Sequence, residues 1–126
     1  MRYSLRAGAC AAAVLGMLSG GSVPSYGAGA LAIGKCAAYG YAYDYPSIAA
    51  AEAAARAKCA DGSCKQVVAA QKSCAAFAVD GHKPCGPNGY ANASKLGAAQ
   101  NAALKSCYKY GGKDCVIRAW ICDGKG

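Results

Sequence analysis

Eight of the nine cysteines in this chain form two quartets of nearly identical spacing. Cys36, Cys59, Cys64 and Cys74 stand 49, 48, 51 and 48 residues before Cys85, Cys107, Cys115 and Cys122. The surrounding residues follow the same pattern. Ala30-Leu31-Ala32-Ile33 leads to Cys36, and Ala76-Phe77-Ala78-Val79 leads to Cys85. Gly40-Tyr41-Ala42 and Gly89-Tyr90-Ala91 follow, then Ser47 or Ser94, then an alanine-rich run to Cys59 or Cys107. Self-similarity at this period marks repeat architectures. Two copies are too few for a solenoid. The spacing predicts one domain built from a duplicated unit, with repeats at about 30–74 and 76–122, related by a pseudo-twofold axis.

The N-terminal segment has a different logic. Arg2 and Arg6 precede an uncharged apolar run over 7–18, and a small, Gly-rich stretch containing Pro24 follows. This is the layout of a secretory signal peptide. The run is too short to cross a bilayer, which takes about 20 residues. The expected division is a leader over 1–28 and a domain over 29–126. Cys10 lies inside the apolar run and leaves with the leader, so the mature chain keeps an even eight cysteines. Export means an oxidising compartment, periplasmic or extracellular, and structural disulfides. Zinc is the competing use of clustered cysteine. It is disfavoured because the chain has no Cys-x-x-Cys pair and one histidine, His82. No metal and no cofactor is expected.

The core is expected to be thin. A chain of about 100 residues buries only about 60–65% of its unfolded surface, and its large aliphatics are few. Staples compensate, each disulfide contributing about 2–4 kcal/mol. Eight cysteines allow 105 pairings. Cys59 ends a helix and Cys64 follows a short turn later, and Cys107 and Cys115 repeat the arrangement, which predicts two local bonds. Cys74 and Cys122 are read as ending equivalent strands, and Cys36 and Cys85 as preceding them. Pairing across the pseudo-twofold axis then gives Cys74–Cys122 and Cys36–Cys85.

Alanine is the best helix former and serine a good N-cap, so the runs after Ser47 and Ser94 read as helices. A hairpin precedes each helix and a strand follows it. The fold class is therefore α+β, a disulfide-stapled two-layer sandwich from a β-β-α-β unit used twice. Tyr39, Tyr41, Tyr43 and Tyr45 alternate along one strand, which places them on one face. Small helix residues against large sheet residues would fill a two-layer core. On this reading the row is mostly buried under the alanine helix, with Tyr45 the most exposed. The same tyrosines, with Trp120, are also the best candidate binding surface, since such rings stack on sugars and populate interfaces.

Charge is the second functional clue. Removing Arg2 and Arg6 from 14 basic residues leaves 12 against 6 acidic ones. Lys105, Lys109, Lys113 and Arg118 cluster near the end of the second helix. They either favour the helix C-terminus or attract an anionic partner such as an envelope polymer, an acidic lipid surface or an acidic protein. Export and the lack of a recognition motif argue against nucleic acid. Catalysis is not indicated. Asp44, Glu52, Asp61, Asp80, Asp114 and Asp123 form no acid–base pair by spacing, His82 lies in a turn, and an even cysteine count leaves no free thiolate.

The run from Gly40 to Ser47, the alanines up to Cys59, and the second-half stretch Ala99–Cys107 with Gly111-Gly112-Lys113-Asp114-Cys115 resemble a family of small secreted bacterial proteins. It is catalogued as domain of unknown function four-one-eight-nine. The resemblance spans about 29–123 and implies export, a compact α+β domain and structural cysteines, with Cys36 and Cys85 an addition to the common pattern. It implies no reaction. The leading functional expectation is a non-catalytic module that binds an envelope component or a protein. The alternatives are an effector or inhibitor acting on another cell or host, and an undiscovered enzyme.

Overall fold

The computed structural model describes residues 27–124. The leader, Cys10 included, lies almost wholly outside the described residues. Eight elements follow in order: β1 (Ala28–Ile33), β2 (Tyr39–Tyr45), α1 (Ile48–Ala57), β3 (Gln66–Gln71), β4 (Ser73–Asp80), β5 (Lys83–Ala93), α2 (Leu96–Lys109) and β6 (Cys115–Asp123). They make two three-stranded antiparallel sheets, ordered β2-β1-β3 and β5-β4-β6. In each sheet the first strand of its half is central.

The layering departs from a two-layer sandwich. Leu31 and Ile33 of β1 meet Ala75, Phe77 and Val79 of β4 and Ala119 and Ile121 of β6 in one cluster between the sheets. The other face of β1, Ala28, Ala30 and Ala32, packs on Ala51 and Ala55 of α1. The other face of β4, Cys74, Ala76 and Ala78, packs on Ala99, Ala103 and Cys107 of α2. The order is helix, sheet, sheet, helix. Alternation puts large side chains on one face of each central strand and small ones on the other. The large ones fill the space between the sheets, and the small ones let the helices come close.

How close is set by two glycines. A Cβ on Gly40 would stand 2.2 Å from the Ala55 carbonyl oxygen, and one on Gly89 would stand 2.3 Å from that of Ala103. Strand and helix backbones therefore touch, with alanines on one side and glycine on the other. Bulky rings at Gly40 or Ala42 could not fit there, so Tyr39, Tyr41 and Tyr43 take the opposite face.

Ser47 caps α1, its hydroxyl accepting from the Ala50 N–H at 3.1 Å. The second helix starts later than the Ser94 reading placed it. Lys95 stands at its N-cap with no side-chain hydrogen bond, since an ammonium has nothing to accept with.

The disulfides are Cys36–Cys85, Cys59–Cys64, Cys74–Cys122 and Cys107–Cys115. Cys59–Cys64 and Cys107–Cys115 close the turns after the helices. Cys36–Cys85 ties the β1–β2 turn to β5. Cys74–Cys122 corrects the reasoning from repeats. Cys74 lies near the start of β4, not at the end of a strand equivalent to β6, and is the direct cross-strand neighbour of Cys122. The matching position in the first sheet holds Ala28 opposite Gln71. Thus the 48-residue offset of this pair reflects strand pairing within one sheet.

Candidate functional site

The tyrosine row lies along β2, an edge strand, on the face turned away from α1. Tyr39 packs against the intersheet core, while Tyr41 and Tyr43 are 44% and 59% exposed. The three rings form a ladder. Tyr39 and Tyr41 have centroids 6.4 Å apart, and Tyr41 and Tyr43 6.3 Å apart, with planes inclined by 20° and 4°. Small residues, Gly40 and Ala42, point to the helix instead.

Tyr45 leaves the row. The β1–β2 pairing runs Ala30 to Ala42 and then jumps to Ala28 with Tyr45. That is a β-bulge, and Asp44 adopts φ of 63° within it. An extra residue switches the face of everything after it. Tyr45 accordingly packs beside the alanines under α1 and is half-buried. The expectation of one buried row with an exposed Tyr45 is therefore reversed: Tyr43 is the most exposed of the four.

The Asp44 N–H donates to the carboxylate of Asp123, which is buried at the end of β6. Asp123 thus fastens the bulge of β2 to the facing edge of the second sheet. No spacing argument pointed to Asp123; its signal is its burial, which appears only in three dimensions.

β6 supplies the other wall, and it too is bulged. Phe77 pairs with Ala119 and Ala78 with Ile117, leaving Arg118 as the extra residue. Released from the pleat, Arg118 reaches across to the first sheet. Its Nε donates to the Ala37 carbonyl at 3.1 Å, and its guanidinium lies 5.0 Å from the Tyr39 ring centroid. A cation over an aromatic face is attracted by the ring quadrupole. Arg118 is therefore held at one end of the ladder by two contacts. Trp120 follows on β6, 50% exposed, and shares one groove with Tyr41 and Tyr43 and another with Tyr39, Tyr41, Gln100 and Arg118. A larger open groove of ≈ 670 Å³ runs past all four tyrosines, with Lys58 and Arg118 in its walls.

The cationic cluster read from sequence divides. Arg118 belongs to the aromatic ledge. Lys105 and Lys109 are exposed on α2 and Lys113 on the following turn, and none of the three lines the grooves along the tyrosines. Sequence proximity put four cations together, and the bulge of β6 carries one of them away.

The acidic residues serve local structure. Asp80, buried at the end of β4, accepts from the Lys113 N–H at 3.1 Å and the His82 N–H at 2.9 Å. These bonds, the Lys113 one first, hold its carboxyl below the ordinary carboxylate pKa. Asp61 accepts from the Ser63 hydroxyl at 2.7 Å and its N–H at 3.0 Å, with the same downward effect. His82, on the exposed β4–β5 turn, pairs at 2.9 Å with Asp114, which stands just before β6. Among the described residues no group of three or more His, Cys, Asp or Glu is arranged to hold a metal ion. No described helix is long and apolar enough to cross a membrane. The four disulfides point to an oxidising environment.

The family model described as "Domain of unknown function (DUF4189)" matches residues 26–122, and the chain belongs to that family. Among solved structures, the chain is similar to Rv1813c from Mycobacterium tuberculosis, determined by NMR. The TM-score is 0.56 and the identity 29%, over 80% of this chain and 78% of that one. No curated protein matches the chain.

Proposed function

We propose that the protein is an exported, non-catalytic binding domain that captures an envelope component or a protein on the aromatic ledge of β2 and β6. Its two β-β-α-β halves descend from one duplicated unit, and its leader is removed on export. The single observation that carries the binding reading is the exposure of Tyr41, Tyr43 and Trp120 together on one edge. Large rings left half in water contribute little to folding, while a cluster of them is typical of an interface. The ledge is also preorganised: Asp123 fixes the bulge of β2 to β6, and the Arg118 guanidinium is held by the Ala37 carbonyl and the Tyr39 ring. A preorganised surface loses less entropy when it binds. The duplication is supported by the matching strand order of the sheets and the equivalent glycines under the helices.

The test is a pull-down from envelope fractions with the oxidised domain and its Tyr41→Ala/Tyr43→Ala/Trp120→Ala variant. The expected result is a partner retained by the wild type and lost by the variant, with both melting within a few degrees of each other. Equal retention by the variant would remove the ledge as the binding surface.

A further inference from the structure

The chemistry of the ledge narrows its ligand. Three features coincide along it. Its floor is a ladder of nearly parallel rings, two of them exposed. Two cations stand beside it, Arg118 over Tyr39 and Lys58 in the wall of the long groove. Neither Asp nor Glu is among the residues lining the three grooves that touch the ladder. Asp44, the nearest acid along β2, belongs to the bulge and turns its backbone to Asp123.

Each feature excludes a class of partner. An added peptide strand needs a regular edge with a row of free backbone groups. Bulges twist an edge and blunt that pairing, and both walls of this ledge are bulged. The ligand therefore meets side chains. Flat rings in series suit a chain of repeating rings, each offering an apolar face. The phenol hydroxyls and the Gln100 amide, which lines the groove beside Trp120, suit a ligand rich in hydroxyls. Cations without a neighbouring carboxylate suit negative charge along that chain. Single-stranded nucleic acid meets the ring and charge conditions too, but four disulfides point to an oxidising compartment outside the cytosol, which favours an envelope polymer over nucleic acid.

We propose that the ledge binds a carboxylated polysaccharide, its sugar rings against Tyr41 and Tyr43 and its carboxylates drawn to Arg118 and Lys58. This rests on the binding reading of the same ledge and adds the chemistry of the partner.

The experiment is titration calorimetry of the oxidised domain with polygalacturonate, a neutral glucan of similar length and oligo-dT. Polygalacturonate is expected to bind. Affinity should fall steeply as ionic strength rises from about 0.01 M to about 1 M, which shrinks the Debye length from about 30 to about 3 Å. Tyr41→Ala/Tyr43→Ala should weaken binding at least about tenfold, equivalent to about 1.4 kcal/mol. Lys58→Gln and Arg118→Gln should each weaken it at low salt. Because Arg118 also contacts Ala37, Lys58→Gln is the cleaner probe of charge. Equal binding of the neutral glucan, tighter binding of oligo-dT, or no binding of polygalacturonate would each overturn the ligand assignment. Of these results, none would touch the binding reading, provided an envelope partner is still lost on mutating the ledge. Tyrosine variants that bind polygalacturonate and every other partner like wild type would overturn both.

Discussion

The same substitution, glycine to alanine, should have opposite effects at Gly40 and Gly97. At Gly40 the new methyl would stand 2.2 Å from the Ala55 carbonyl oxygen, 2.8 Å from the Cys59 nitrogen and 2.9 Å from the Lys58 carbonyl carbon. All three are backbone atoms, so no rotamer change relieves the clash. Ordinary contact is about 3.5 Å, so α1 has to move by more than about 1 Å. That shift lifts Ala51 and Ala55 off the alanines of β1 and β2 and pulls against the Cys59–Cys64 bridge. Overpacking of this kind costs about 1–3 kcal/mol. For a domain of this size each kcal/mol lowers Tm by about 4–8 °C, so Gly40→Ala should melt roughly 5–20 °C below wild type. At Gly97, in the first turn of α2, a Cβ has no heavy atom within 4 Å. There alanine only removes the entropy cost of a helical glycine and should stabilise by about 0.5–1 kcal/mol. Scanning calorimetry with the disulfides intact measures both. A Gly40→Ala protein that melts like wild type would refute the backbone-to-backbone contact of helix and strand, and with it the reason the tyrosines face outward.

Two further outcomes follow from the structure. Phe77, fully buried between the sheets, should cost about 3–5 kcal/mol when cut to alanine, measured by denaturant unfolding, while Tyr43→Ala should shift the midpoint hardly at all. Hydrogen bonds, from the Lys113 and His82 N–H groups to Asp80 and from Ser63 to Asp61, hold both folded carboxyls below the ordinary carboxylate pKa. Their contribution is therefore complete above the unfolded pKa and lost as pH falls through the folded one, so acid titrations below about pH 4 should show Asp80→Asn losing less stability than wild type.

Much of the local structure could be read directly from residues. Ser47 ahead of Ile48 and an alanine run gives a capped helix wherever it sits, because cap and propensity act within one turn. The short bonds Cys59–Cys64 and Cys107–Cys115 follow from a helix end and a tight turn. Alternation grouped Tyr39, Tyr41, Tyr43 and Tyr45, and the bulge sends Tyr45 to the other face; a period of two also says only that residues share a face, not which layer that face meets. The deciding clue lay between them. Gly40 and Ala42 are the residues small enough to sit under an alanine helix, so the tyrosines had to look the other way. The bulge at Arg118 has no sequence mark of its own; the one at Asp44 has a weak mark, since Asp is depleted in strands and tolerates the positive φ it adopts there. Both depend on partners in β1, β4 and the distant Asp123. Cys74 misled for a related reason: its offset from Cys122 matched the repeat, while its actual relation to Cys122 is cross-strand.

The central claim is that the β2–β6 edge is where this domain meets its ligand. Backbone and side-chain NMR shifts followed during titration with oligogalacturonate test it residue by residue. The account predicts that the largest changes fall on Tyr39, Tyr41, Tyr43, Arg118 and Trp120, while Tyr90 and Tyr110, exposed elsewhere on the domain, stay still. Changes centred on Tyr90 and Tyr110, or none along β2 at saturating ligand, would contradict it.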